Sequence, residues 1–159
     1  MSEIIGIYSN LAALSVTFTS NAGDTVVVTC KDLDELRLNI DSAYCPIRQL
    51  LPIGNETEGQ VAQLTFGRSQ ELTWRIVDLF FYKTASQGGM LAEAGPDLVR
   101  YMAAYEEMIR TSFQSCGYTD GRKYCAAVQM LPAIINWPLD SDRYFFGVSC
   151  ILTIRELVG

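Results

Sequence analysis

The segment ELTWRIVDLFFYK, residues 71–83, carries two interleaved rows of side chains. Leu72, Trp74, Ile76 and Phe80 lie on one row, and Thr73, Arg75, Val77 and Leu79 on the other. A period of two marks an extended strand, because successive side chains leave opposite faces. A strand of this length calls for a sheet with a covered face. Asp78 interrupts the apolar row. A carboxylate there requires an arginine partner or a contact with another subunit, since an isolated buried charge is too costly.

A second segment of the same kind stands near the end of the chain. RYFFGVSCILTIRE, residues 143–156, puts Phe146, Val148, Cys150, Leu152 and Ile154 on one face and Ser149, Thr153 and Arg155 on the other. Residues 61–66 read as a strand joined to 71–83 by a turn at 67–70, and residues 126–137 as a strand region bent or broken at Pro132. The β-branched runs 14–19 and 25–30 flank Asn21-Ala22-Gly23-Asp24, a hairpin with a loop of about four to five residues.

Three segments have helical spacing. In residues 2–14, Ile4, Ile7, Tyr8 and Leu11 share a face, with Ser2 as cap and Glu3 near the positive dipole end. Asp32 with Glu35 three residues on forms a capping box, and Leu36, Ile40 and Ala43 follow in a short helix that stops before Pro46. Residues 46–52 look extended and 54–59 form a polar loop. The strongest helix spans 96–113, with Gly95 as N-cap, Pro96 at N1 and Asp97 in the first turn. Its stripe is Leu98, Tyr101, Met102, Tyr105, Met108, Ile109 and Phe113. The order α-ββ-α-ββ-α-ββ predicts an α+β fold, a mostly antiparallel sheet with helices packed on one face, in a single domain over residues 1–159.

Composition narrows the function. The chain has 159 residues, 49% hydrophobic and only 19% charged, which excludes disorder and leaves apolar surface for partners to cover. Net charge is −6, and the three lysines, Lys31, Lys83 and Lys123, are far apart, against tight nucleic-acid binding by counterion release. No run of about 18 apolar residues exists to cross a membrane. The opening Met1-Ser2-Glu3 lacks a basic leader segment, and five cysteines share no CxxC spacing. They read as reduced thiols in a cytosolic setting, with Cys150 packed as a small hydrophobe.

Candidate chemistry is sparse. The absence of histidine removes the commonest general base and metal ligand, and Gly88-Gly89 is no phosphate-binding loop. Asp32/Asp34 and Asp140/Asp142 have the D-x-D spacing of a hard-cation site, but a helix cap and a turn account for them. Glu106 and Glu107 fall on the solvated side of their helix, and Trp74 and Trp137 within strand patterns. Asn55-Glu56-Thr57 is a glycosylation sequon without a secretory context. No catalytic, cofactor-binding or metal-binding residue is expected. Such a protein works through its surfaces.

Several features, in order, resemble the tail terminator (tail completion, neck) proteins of long-tailed bacteriophages. They are an N-terminal helix, a short helix followed by Pro46, a strand carrying Thr73, Trp74, Ile76 and Tyr82, an amphipathic helix with Leu98 and Tyr105, and a final strand with Tyr144, Gly147, Val148, Leu152, Ile154 and Glu156. The resemblance covers residues 32–156 best, and the hairpin between Leu14 and Cys30 has no match in it. It implies a homo-hexameric ring that caps the tail tube protein and meets a head-side connector or stopper protein. DNA would cross its lumen without specific binding. The ring would be assembled in the host cytoplasm and carried in the tail or neck of the virion. A ring needs heterologous contacts, and the long loop 84–95 is the candidate to make them through Ser86, Gln87, Gly88, Gly89, Met90 and Leu91. Other readings are a connector or tube protein of related fold, and a non-viral small-ligand-binding domain with a pocket lined by Trp74 and Phe80.

Overall fold

The computed structural model describes residues 4–31, 40, 42–51, 62–65, 70–85, 94–113, 123–138 and 141–158. Helix α1 (Ile4–Ala13) is followed by the hairpin strands β1 (Val16–Thr19) and β2 (Thr25–Val28) and by the short β3 (Cys30–Lys31). A 3-10 turn at Ser42–Tyr44 precedes β4 (Ile47–Leu51), β5 (Ala62–Thr65) and the long β6 (Gln70–Thr84). Helix α2 (Gly95–Met108) then leads to β7 (Lys123–Asn136) and β8 (Tyr144–Val158).

The main sheet runs β3-β4-β6-β8-β7, with β5 also paired to β6, and every pairing is antiparallel except β3 with β4. Strand β6 organises it. One edge of β6 is shared end to end by β5, opposite residues 71–74, and β4, opposite residues 77–81. The other edge is paired with β8 from Gln70 to Thr84. Both helices and the hairpin cover one face, where Ile7, Leu11, Val16, Phe18, Leu98, Tyr101 and Tyr105 pack with Ile76, Phe80, Val148, Cys150 and Leu152. This is an α+β domain with its helices on one side of the sheet.

The opposite face has its own cluster of Ile40, Ile47, Val77, Leu79, Phe81 and Phe145, against which Cys45 and Trp137 pack. Val77, Leu79 and Phe81 therefore point away from the helices and are still buried. The expected helix over 32–43 falls mostly outside the described residues. The polar loop 54–59 and the turn residues 67–69 do so entirely.

One expectation is narrowed and two are corrected. Of the two alternatives at Pro132, a bend or a break, the break is not found: β7 continues through Pro132, which pairs with Val148. The ladder tolerates it because β7 ends the strand order, and a proline at a sheet edge can turn its missing donor outward. The N-cap of α2 is Ala94 rather than Gly95, so Gly95 begins the helix and no side chain caps it. The same helix is α-helical only to Met108, and its last turn, Ile109–Phe113, is π-helical.

Two irregularities shape the end of β6. The register shifts between Phe81 and Lys83, leaving Tyr82 as a bulge residue. Opposite Phe81 stands Gly147, where a Cβ would collide with the Phe80 carbonyl oxygen and lie 2.7 Å from Ile135 Cδ1. Only glycine fits this contact. Gly147→Ala is expected to lower stability by about 1–3 kcal/mol or more, the range for overpacking a closed site. Urea unfolding, with Gly6→Ala as the control because its Cβ would meet nothing within 4 Å, measures it.

Candidate assembly site

The candidate loop residues Ser86, Gln87, Gly88, Gly89, Met90 and Leu91 lie outside the described residues. Their anchors do not. On one side, the Ala85 N–H donates to the Tyr144 carbonyl at 2.8 Å, extending the contact of β6 with β8 past Thr84. On the other, Ala94 is fully buried and its carbonyl accepts from Leu98 N–H at 2.9 Å, the first bond of α2.

Asp97 ties this end of the fold together. Its Oδ1 accepts from the Asn21 backbone N–H at 2.6 Å and its Oδ2 from the Tyr82 hydroxyl at 2.8 Å. One carboxylate thus joins the hairpin loop, the bulge of β6 and the start of α2, where negative charge also suits the helix dipole. Burial, and then the bond to Asp97, push the Tyr82 phenol up to about 12. The turn between β7 and β8 is closed by Asn136 Nδ2, which donates to Ser141 O at 2.7 Å and Arg143 O at 2.9 Å. Beside it, Ile134 and Tyr144 are 48% and 42% exposed, and Leu131 is 64% exposed farther along β7. Ile134 and Tyr144 are large apolar groups on the same end of the sheet as the loop anchors.

Beneath the helices lies the one charge pair with both side chains fully buried among the described residues. Arg48 donates from Nε at 3.2 Å and from Nη2 at 2.6 Å to Asp78 Oδ2. Its Nη1 reaches the Leu14 carbonyl at 2.6 Å and Nη2 the Leu11 carbonyl at 3.4 Å, so it caps the C-terminal end of α1. The Tyr105 hydroxyl of α2 donates to the same Asp78 Oδ2 at 2.7 Å, and the guanidinium carbon sits 5.5 Å from the Tyr105 ring centre. The nearby carboxylate raises the already high Arg48 pKa, while burial opposes it and raises those of Tyr101 and Tyr105. Of the two roles open to Asp78, pairing with an arginine is the one observed.

Arg48 escaped the reading of the sequence. Its signal was an arginine inside the run IRQLL, where an unpaired charge has no place. Glu156 escaped as well: it is buried on β8 and accepts from Trp74 Nε1 at 3.3 Å. Cys150 is buried as expected, and Trp74 and Trp137 are half-buried against the two clusters. Phe80 is stacked on Tyr101 with ring centres 3.8 Å apart and meets Phe18 edge-on, so protein rings occupy the space a ligand would need beside it. Asp142 is exposed, while Asp32, Asp34 and Asp140 lie outside the described residues. Glu106 and Glu107 are exposed, the former pairing with Arg110 at 3.0 Å.

No helix among the described residues is long and apolar enough to cross a membrane. No protein family, curated protein or solved structure matches the chain.

Two predictions test these contacts. Asp78→Ala should cost about 3–5 kcal/mol, because Arg48 keeps its buried charge without a partner. Arg48→Met combined with Asp78→Leu should recover much of the loss, and a denaturant series on the three variants decides the matter. Tyr82→Phe should cost about 0.5–1.5 kcal/mol at neutral pH, the worth of one hydrogen bond. Because the phenol ionises near 10 unfolded and at about 12 folded, its stabilisation is complete below pH 10 and lost as pH rises toward 12. The variant should therefore lose less stability than the wild type across that interval.

Proposed function

We propose that this chain is a tail-terminator-type ring subunit. Six copies, joined head to tail, cap a tail tube, stop its growth and offer the opposite face to a head-side connector. The role is structural rather than catalytic, exercised in the tail or neck of a virion after assembly in the host cytoplasm. The observation that carries this reading is that the segments bearing the resemblance meet in space. Trp74 of β6 donates to Glu156 of β8, and Gly147 of β8 is the point of closest approach to Phe80 of β6.

Two further features support it. The loop anchors are held by Asp97 and Tyr144 at the end of the sheet where Ile134 and Tyr144 expose apolar surface, as a heterologous contact requires. A net charge of −6 suits a lumen that DNA crosses without sticking, since like charges repel.

Electron microscopy of the purified chain with tail tubes provides the test. Rings, free or seated at tube ends, are the expected result. Deleting residues 86–92 and closing the gap with a short turn should preserve the circular dichroism and thermal transition while abolishing rings. Tubes capped normally by the shortened protein would remove the loop from the interface. A wild-type chain that never forms rings or caps tubes would overturn the proposal.

A further inference from the structure

The Arg48–Asp78 cluster is unevenly bonded. Asp78 Oδ2 accepts three donors, from Arg48 Nε, Arg48 Nη2 and the Tyr105 hydroxyl. Oδ1 of the same carboxylate has no hydrogen-bond partner among the described residues, and neither has the Tyr101 hydroxyl. Both residues are almost completely enclosed, Asp78 at 1% exposure and Tyr101 at 0%. Buried polar atoms are nearly always satisfied, and a charged oxygen is the costliest to leave bare.

The two groups are linked through Tyr105, whose ring centre lies 5.8 Å from that of Tyr101. Tyr101 stands one turn before Tyr105 on α2, and the Tyr105 hydroxyl already reaches Asp78. Tyr101 cannot slide sideways to follow it, because its ring is stacked on Phe80, two residues beyond Asp78 on the same face of β6. Cys150 lies directly opposite Asp78 across the β6–β8 pair, and its side chain is buried. The Asp78 charge acts on both neighbours, raising the pKa of Tyr101 and of Cys150 in addition to the effect of burial. A hydroxyl that can donate and a carboxylate oxygen that can accept are thus both buried without a partner around Phe80 and Tyr105.

We propose that these two groups share a single internal water molecule, which accepts from the Tyr101 hydroxyl and donates to Asp78 Oδ1. Water fits on chemical grounds. Arg48 already neutralises Asp78, so the site calls for a neutral group able to accept and donate at once. Two or more polar partners are what an ordered internal water requires. An apolar occupant would leave both groups bare, and a second cation would crowd Arg48. The proposal concerns the interior of one subunit and does not depend on ring formation.

A high-resolution crystal structure of the full chain, paired with water relaxation dispersion in solution, tests it. The crystal should show one water within about 2.5–3.2 Å of both Asp78 Oδ1 and Tyr101 Oη. Relaxation dispersion counts long-lived internal waters. The count should fall by one in Tyr101→Phe, which keeps the stacked ring, and stay unchanged in Tyr105→Phe, whose hydroxyl serves the other oxygen. A direct Tyr101–Asp78 hydrogen bond in the crystal, no density between them, or an unchanged count in Tyr101→Phe would each overturn the proposal.

Discussion

The ion pair between Arg48 and Asp78 is the constraint around which the helices are placed. Through one guanidinium and one carboxylate it joins β4, β6, the end of α1 and the middle of α2. Replacing such a pair with apolar groups of similar volume is often neutral or stabilising, so its worth lies elsewhere. It discriminates between arrangements. In the observed register Arg48 stands opposite Phe80 and Leu50 opposite Asp78, all on the helix face. A slip of β4 by one residue would turn Arg48 to the opposite face and leave Asp78 buried alone. Helix α1 is tied to the same choice, since that arginine donates to the Leu11 carbonyl in its last turn and to the Leu14 carbonyl just beyond it.

Elements with a strong period were legible in the chain itself. The alternation of β6 and β8, the β-branched hairpin and the stripes of α1 and α2 each declare a face without any knowledge of partners. Asp78 declared that it needed either an arginine or a subunit contact. The choice between them was illegible because Arg48 is 30 residues away in sequence, on a strand whose register decides whether they meet. Gly147 was hidden for a related reason. Its requirement arises from the approach of the β6 backbone beside a bulge, which is a property of the strand pair and not of either sequence. At Pro132 a break stayed open as an alternative, because a proline in a strand can read as one until the strand is known to be at an edge.

The second apolar cluster changes how the sheet is understood. A sheet covered on one side would place Val77, Leu79 and Phe81 in water. Ile40, Cys45 and Trp137 instead close over that face near the β4 end. The order of burial along β6 reflects this: its residues 76–81 are buried on both faces, while 71–75 are partly or wholly exposed. Its rigid stretch is thus the one leading to the bulge at Tyr82 and on to the anchor at Ala85. A loop that contacts a neighbour gains from such a base, because ordering the anchors in advance reduces what must be ordered on assembly.

The hairpin between Leu14 and Cys30, which has no counterpart in the resemblance, belongs to the core by the same physical standard. Val16, Phe18 and Val28 are buried in the helix-side cluster. The Phe18 ring centre lies 6.4 Å from Phe80, 6.3 Å from Tyr82 and 6.0 Å from Tyr101, within the range of favourable aromatic contacts. Phe18 therefore fills the space between the end of β6 and the first turns of α2, and the Asn21–Asp97 bond fixes the loop above it. Removing the hairpin would uncover those rings and release Asp97 from one of its two partners. It would also detach α1 from β3, since the chain passes through the hairpin to join them, and Arg48 N–H accordingly bonds to the Thr29 carbonyl at 2.9 Å. A segment so placed orders both the ion pair and the anchors of the candidate loop, which makes it part of the scaffold of the proposed contact surface and not an ornament upon it.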